Sequence, residues 1–166
     1  MSEYLEIYLA GGCFWGVEKY LAALNGVIST EVGYANGKTL NPTYREVCYN
    51  NTGHAEAVRI LYDDKYITLE HLLKVFFRVI DPTSVNRQGG DVGTQYRTGI
   101  YYVNDTDRII IDKAISDLAA QYTKPIAIEV EPIENYSSAE EYHQKYLEKN
   151  PDGYCHIGKH LFEELD

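Results

Sequence analysis

A cysteine between glycines and aromatic residues is the feature of this sequence that most clearly suggests chemistry. Cys13 lies in the run GGCFWG at positions 11–16. Glycines on both sides of a thiol let another molecule approach the backbone closely, which core packing does not require. Cys13 also falls where a predicted strand passes into a predicted helix, and a helix N-terminus lowers the pKa of a thiol. We therefore expect a reactive thiol, with Phe14 and Trp15 lining an apolar pocket beside it. The alternative is a buried, unreactive cysteine, the commonest state of a free thiol.

The two other cysteines differ in their surroundings. Cys155 follows the turn-rich stretch NPDGY near the C-terminus, so it can belong to a mobile segment. A mobile thiol that reaches a cysteine sulfenic acid condenses with it to a disulfide, which would make Cys155 a resolving cysteine. A free surface cysteine is the alternative. Cys48, in REVCYN, has no neighbouring glycine and no evident base, and we interpret it as structural.

Other uses of a reactive thiol stay open at this point. A Cys–His hydrolase needs a histidine beside Cys13, and the sequence does not show which one approaches it. The candidates are His54, His71, His143, His156 and His160. Cys155 and the last two of these histidines lie close enough in sequence to suggest zinc. However, no two cysteines have the spacing of a zinc motif, so we expect no metal and no cofactor.

Three further side chains can support chemistry at oxygen or sulfur. Glu56, in GHAE, opens a predicted strand; if it faces an apolar pocket, desolvation raises its pKa and makes it a general acid at neutral pH. Tyr44, in NPTYRE, and Tyr96, in GTQYR, lie in predicted loops beside proline or glycine turns and can present hydroxyl groups to a site. The alternatives are a solvated carboxylate and tyrosines that only pack.

Strand-like and helix-like segments alternate along the chain, and these elements must position the side chains above. Alternation of apolar residues predicts strands at YLEIYLA, VISTEVGYA, AEAVRILYD, RTGIYYV and IAIEVEPI. Helical spacing predicts helices at FWGVEKYLAAL, TLEHLLKVFFRVI, DTDRIIIDKAISDLAAQY and SSAEEYHQKYLEKN. The last helix should begin with a Ser137–Glu140 capping box. Residues 41–54 and 83–96 are predicted loops. The pattern predicts an α/β or α+β sandwich, with one mixed sheet and helices packed on it.

Composition restricts the class of protein. The 166 residues suit one domain, residues 1–166, with enough apolar residues for a core. The net charge of −10 argues against nucleic acid as a partner. No run is long enough to span a membrane, the N-terminus lacks a signal-peptide pattern, and three cysteines are typical of free thiols. We expect a cytoplasmic monomer.

The motifs GGCFWG, NPTYREVC, TGHAEAV, GTQYR and GYCHIGK occur in this order, and together they resemble the A-type peptide methionine sulfoxide reductases. The resemblance extends from the first strand to Lys159. It implies a ferredoxin-like core with an irregular C-terminal tail. It also implies reduction of the S epimer of methionine sulfoxide, free or in proteins, with thioredoxin or another dithiol as the reductant.

The resemblance assigns roles by motif. Cys13 corresponds to the catalytic cysteine, Glu56 to the acid, and Tyr44 and Tyr96 to the tyrosines that bind the sulfoxide oxygen. The remaining assignments are the S-methyl pocket for Phe14 and Trp15, a pocket aspartate for Asp91, and the resolving cysteine for Cys155. The implied pathway is a Cys13 sulfenic acid followed by a Cys13–Cys155 disulfide.

Two other functions fit a redox-active thiol. A thiol peroxidase also passes through a sulfenic acid but needs no sulfoxide pocket. A redox sensor that binds a partner through its tail would change shape with disulfide formation and would release no methionine.

Overall fold

The computed structural model describes residues 4–153, 155 and 157. The described strands are β1 (Leu5–Gly11), β2 (Val27–Ala35), β3 (Ala55–Tyr62), β4 (Arg87–Gln88), β5 (Asp91–Val92), β6 (Thr98–Tyr102), β7 (Glu129–Pro132) and β8 (Tyr136–Ser138). The described helices are α1 (Phe14–Ala22), α2 (Tyr44–Tyr49), α3 (Leu69–Phe77), α4 (Asp107–Ala119) and α5 (Tyr146–Lys149). Thr94–Tyr96 and Glu141–His143 form single turns of 3-10 helix.

One mixed sheet organises the molecule, with strand order β7-β6-β1-β3-β2-β8. Six elements form a βαββαβ unit in chain order, if the short α2, β4 and β5 are set aside: β1, α1, β2, β3, α3 and β6. The four strands of this unit pair antiparallel in the order β6-β1-β3-β2. This is the ferredoxin-like arrangement, so the expected core is confirmed. α4 then crosses over to β7, which pairs parallel with β6, and β8 extends the other edge against β2.

The large core lies between this sheet and its helices. Side chains alternate along each strand, so Ile7 and Leu9 of β1 face the helices while Tyr8 and Ala10 face the other side. The helix-side cluster includes buried side chains of α1, α3 and α4, whereas the opposite cluster is small and consists mainly of alanine and tyrosine. The helices therefore pack chiefly on one face. None of the described helices is long and apolar enough to cross a membrane.

Two of the predicted elements are wrong. Residues 44–49 lie in a predicted loop, but they form α2, because Thr43 accepts a hydrogen bond from the backbone of Glu46 and the Glu46 carboxylate accepts one from the backbone of Thr43. The predicted helix over SSAEEYHQKYLEKN is replaced by β8, a 3-10 turn and the short α5. Lys145, with φ of 54°, adopts the left-handed conformation that separates the last two.

A buried carboxylate fixes this irregular segment against α1. Glu18 of α1 is 1% exposed and accepts hydrogen bonds from the Thr30 hydroxyl and the Lys145 backbone N–H, both at 2.8 Å. The Lys145 ammonium lies 3.5 Å from the same carboxylate. A backbone donor and a cation from one residue therefore converge on a single buried acceptor, which determines where the chain after β8 meets α1.

Replacing Glu18 by glutamine should lower the free energy of unfolding by about 1–3 kcal/mol, because one acceptor oxygen and the negative charge beside Lys145 are lost from a buried position. Glu141→Gln is the matched control, since it removes the Glu141–Lys149 ion pair, whose carboxylate side chain is 90% exposed. Exposed pairs contribute about 0–1 kcal/mol. Urea denaturation of the three proteins measures both effects. Equal losses of unfolding free energy in the two variants would contradict the conclusion that Glu18 fixes this segment against α1.

Candidate active site

Cys13 is the N-cap residue of α1 and is only 7% exposed. The two glycines before it have different roles. A Cβ on Gly11 would lie 2.8 Å from Cγ2 of Ile80, so this position is bare because the end of α3 packs against it. Gly12 has φ of 89°, which side chains disfavour, and it turns the chain from β1 into α1. The glycines thus bring the thiol to the helix N-terminus.

Glu56 lies opposite this helix end. It shares the helix-facing side of β3 with Val58 and Ile60, since these residues alternate along the strand. Its side chain is 1% exposed, and Oε1 accepts a hydrogen bond from the backbone N–H of Phe14 at 3.2 Å. Oε2 is buried and has no hydrogen-bond partner among the described residues. One carboxyl oxygen is thus fixed beside Cys13, and the other can still form a hydrogen bond.

Burial dominates the protonation of both groups. It raises the pKa of Glu56 to about 8, with a smaller increase from Asp91 and an opposing effect of the Phe14 N–H. Burial also raises the pKa of the Cys13 thiol well above its usual value, and an ionised Glu56 raises it further. The Trp15 backbone at the helix N-terminus does lower this pKa, but burial and Glu56 outweigh it, so the expected net lowering is wrong. At neutral pH the acid is largely protonated, as its predicted role requires.

Two phenols complete the group around Glu56. Tyr44 begins α2, and its backbone N–H donates to the Glu140 carboxylate at 2.8 Å. Tyr96 ends the 3-10 turn that precedes β6. Burial raises the pKa of both phenols, and the next cause in each case is the charge of Glu56. Both hydroxyls are therefore protonated donors close to the carboxyl group.

Phe14 and Trp15 occupy different environments. Phe14 is buried and its ring lies 5.3 Å from the His143 ring, measured between centroids. Trp15 is half-buried, stacks on Tyr146 at 3.8 Å, and donates its indole N–H to His143 Nδ1 at 3.0 Å. Phe14 therefore forms the inner part of the aromatic cluster and Trp15 its outer part.

His143 belongs to this site, although the sequence named it only as one of five candidate histidines for a hydrolase. It is 1% exposed, its ring lies 4.4 Å from that of Tyr44, and burial lowers its pKa, so it is neutral at Nδ1, where it accepts the Trp15 N–H. Its Nε2 is buried, and no described residue forms a hydrogen bond with it. Its neighbours in EEYHQKY are mostly charged or polar, so the local sequence does not indicate burial. Tyr146 was equally unmarked by local pattern.

Asp91 and Cys48 lie at the edge of the site. Asp91 opens β5 in the predicted loop 83–96, and its charge raises the pKa of both Cys13 and Glu56. Cys48 is half-buried in α2 and is hydrogen-bonded to the Tyr44 phenol and to Gln95. A residue interpreted as structural thus contacts a candidate catalytic side chain, which its local sequence did not indicate.

Cys155 lies against α1. It is half-buried, and a Cβ built on Gly16 would lie 2.8 Å from its sulfur. Its charge is among the causes that raise the pKa of Cys13, so the two thiols are near each other. The described cysteines are all free thiols. The described part of the tail thus brings its cysteine towards Cys13.

The described histidines give little support to a hydrolase. His54 is hydrogen-bonded to Thr39, His143 to Trp15, and His71 is exposed. In the part of the chain that the structure describes, no group of three or more histidine, cysteine, aspartate or glutamate side chains is arranged to hold a metal ion. His156 and His160 of the zinc alternative lie outside the described residues.

Comparisons with known proteins identify similar chains. The family model described as peptide methionine sulfoxide reductase matches residues 5–165. The peptide methionine sulfoxide reductase MsrA of Lachnoclostridium phytofermentans is 62% identical over 157 residues, which are 95% of each chain. Mxr1 of Saccharomyces cerevisiae in reduced form is 44% identical, with a TM-score of 0.86 over 92% of this chain and 88% of that one. A structure of Mxr1 in complex with Trx2 is 30% identical, with a TM-score of 0.61 over 86% of this chain and 84% of that one.

The protonation of Glu56 has a consequence for stability. Because its folded-state pKa is raised from 4.5 to about 8, the unfolded chain loses this proton first as the pH rises. The contribution of Glu56 should therefore be fully favourable below about pH 4 and decline up to about pH 8, by at most about 1.4 kcal/mol per pH unit. Urea unfolding of the wild type and Glu56→Gln across this range measures it, since the variant does not titrate. A stability difference that stays constant with pH would show that Glu56 ionises normally.

Proposed function

The chain belongs to the peptide methionine sulfoxide reductase family, and we propose that it reduces the S epimer of methionine sulfoxide to methionine through Cys13. It is a thiol-dependent oxidoreductase, and its substrate is methionine sulfoxide, free or in oxidised proteins. Thioredoxin is its reductant, which the complex of the relative Mxr1 with Trx2 supports. We also propose a cytoplasmic location, because three cysteines, a small and odd number, are typical of free thiols rather than of a disulfide framework.

One observation carries the proposed mechanism. The buried carboxyl group of Glu56 has one oxygen fixed by the Phe14 N–H and the other without a partner in the described part of the chain. Its pKa of about 8 keeps it protonated at neutral pH. A sulfoxide sulfur accepts a nucleophile readily only if its oxygen is protonated as the S–O bond breaks. Glu56 supplies this proton, and the Tyr44 and Tyr96 hydroxyls donate hydrogen bonds to the same oxygen.

The atoms of the reduction step balance within these groups. Cys13 sulfur attacks the sulfoxide sulfur and loses its thiol proton as Glu56 protonates the oxygen; the carboxylate that remains takes up the thiol proton. The hydroxyl group then passes to Cys13, which becomes a sulfenic acid, and the sulfide leaves as methionine. The substrate sulfur gains two electrons and the Cys13 sulfur loses two.

Phe14 and Trp15 provide the apolar surface for the substrate methyl group. Trp15 cannot turn freely, because it is stacked on Tyr146 and hydrogen-bonded to His143. A fixed apolar wall on one side and three proton or hydrogen-bond donors on the other distinguish the methyl group from the oxygen. Such an arrangement selects one epimer of a chiral sulfoxide. Asp91 influences this pocket through the pKa of Glu56.

Glu56→Gln should lower the rate of methionine formation by about 10²- to 10⁴-fold, the usual contribution of a general acid. The wild-type rate should fall as the pH rises through about 8, because Glu56 loses its proton there. Glu31→Gln is the matched control, since its carboxylate binds Tyr136 and Ser138 away from the site. Single-turnover assays with each epimer measure both effects. A Glu56→Gln rate equal to that of the control would remove Glu56 from the mechanism.

Cys13→Ser should abolish reduction, whereas Cys155→Ser should form stoichiometric methionine once and then stall with thioredoxin. The reason is that only the second step, disulfide formation, uses Cys155. Cys48→Ser tests the third thiol. Its turnover with thioredoxin, expressed relative to its own first turnover, should equal that of the wild type. Methionine release and thioredoxin oxidation report the two steps separately. Sustained turnover by Cys155→Ser would assign recycling to Cys48 or to direct reduction, and turnover on peroxide alone would favour a peroxidase.

A further inference from the structure

The last glycine of GGCFWG lies beneath the C-terminal tail. Gly16 is the third residue of α1 and follows Cys13 by three positions, so both lie on the same side of the helix. A Cβ built on Gly16 would lie 2.8 Å from Cys155 Sγ and 3.3 Å from Ile157 Cδ1. Two side chains of the tail therefore rest directly on bare helix backbone, one helical turn from the candidate nucleophile.

Ile157 anchors the tail at this point. It is 5% exposed and belongs to the main hydrophobic core, with Phe14 and Val17 of α1 in the same cluster. Cys155, two residues earlier, is packed against that cluster and is half-buried. Because the buried Ile157 restricts the neighbouring chain, it also determines where the Cys155 thiol lies.

A glycine within the first turn of a helix needs a reason. Glycine destabilises a helix relative to alanine, since it loses more backbone entropy on folding. Among the described residues, the atoms that a side chain on Gly16 would meet first are the Cys155 sulfur and the Ile157 methyl group. The missing side chain thus makes the space that the tail occupies.

We propose that Gly16 and Ile157 form a tail seat that holds the Cys155 thiol beside Cys13 before Cys13 is oxidised. Both are positioning residues, and the inference rests on the proposed role of Cys155 as the resolving cysteine. Preorganisation of this kind removes most of the entropic cost of bringing two groups together. The disulfide then forms as soon as reduction leaves a sulfenic acid.

The step itself needs no further reactant. Cys155 sulfur attacks the sulfur of the Cys13 sulfenic acid, the S–S bond forms and the S–O bond breaks. The hydroxyl group leaves with the Cys155 thiol proton as water, so Cys155 is oxidised and Cys13 is reduced. Burial raises the pKa of the Cys155 thiol, and the backbone of Ile157 and the charge of Lys19, one turn beyond Gly16, oppose part of this increase.

Gly16→Ala tests the seat without removing a reacting group. Alanine favours the helix, and the atoms it meets are the ends of movable side chains, so the fold should persist while the thiol is displaced. We expect a normal stoichiometric burst of methionine but about 10- to 100-fold slower formation of the Cys13–Cys155 disulfide. Misplacing a reacting group by about 1 Å causes a rate loss of this size. Trapping with a 1,3-dicarbonyl probe should show an accumulated sulfenic acid.

Ile157→Ala should slow the same step, because it removes the anchor. Ile111→Ala is its matched control: it removes another buried isoleucine of the same core, on α4, and should leave the disulfide rate at the wild-type value. Rapid-quench mass spectrometry of the enzymes measures methionine and disulfide in one experiment. Agreement of Ile157→Ala with the control would reduce Ile157 to a core residue and overturn the seat.

Other outcomes separate this inference from the proposed function. A wild-type disulfide rate in Gly16→Ala overturns the seat and leaves the reductase intact. Loss of the methionine burst in that variant also overturns it, because Gly16 would then act on reduction. A wild-type enzyme that forms methionine but no Cys13–Cys155 disulfide removes the resolving role of Cys155 and the seat with it. Failure of the wild type to form methionine contradicts the proposed function itself.

Discussion

The hydrogen bond from the backbone N–H of Phe14 to Glu56 joins the first turn of α1 to β3, and the geometry of the site depends on it. Its donor belongs to the residue after Cys13, so it fixes the distance between the proposed nucleophile and the proposed acid through backbone atoms. The register of the sheet makes it possible: Leu9 of β1 pairs with Val58 of β3, which brings the end of β1 towards Glu56. A buried carboxyl group with one bonded oxygen is costly to ionise, and this cost keeps its proton available for a substrate.

The same burial determines the state of the thiol. A helix N-terminus favours a thiolate, but Cys13 is only 7% exposed. Burial, together with the charges of Glu56 and Asp91, raises the pKa of its thiol instead. Two negative charges in one buried pocket would repel each other, so the resting site holds both protons. Reduction of a sulfoxide consumes one proton at oxygen and releases one at sulfur. A neutral thiol beside a neutral acid therefore holds both protons that this reaction uses, and no net charge is created in the pocket.

Much of the fold could be predicted from the sequence, because periodicity reports which face of an element is buried. The strands β1, β2, β3 and β6 and the helices α1, α3 and α4 appear where that periodicity predicts them. The two errors concern one local pattern, a serine or threonine three residues before a glutamate. At Thr43–Glu46 the pattern caps a helix, whereas Ser137 pairs with β2 and Glu140 accepts hydrogen bonds from Tyr34 and Tyr44. Residues distant in the chain decide whether the pattern caps a helix or belongs to a strand, so the local sequence cannot predict which occurs.

The candidate site shows the same limit. Cys13 and Glu56 could be found because their motifs are local, but His143 could not, because its role comes from Trp15, distant in the chain. The irregular segment after β8 is specified by side-chain contacts rather than by propensity: Gln144 bonds both backbone groups of Val32, and Lys145 bonds Glu18. It closes the aromatic side of the site, and the chain then turns back to α1, where Cys155 rests on Gly16. One stretch of chain therefore positions both the proposed substrate pocket and the proposed resolving thiol, and its conformation depends on contacts with the rest of the fold.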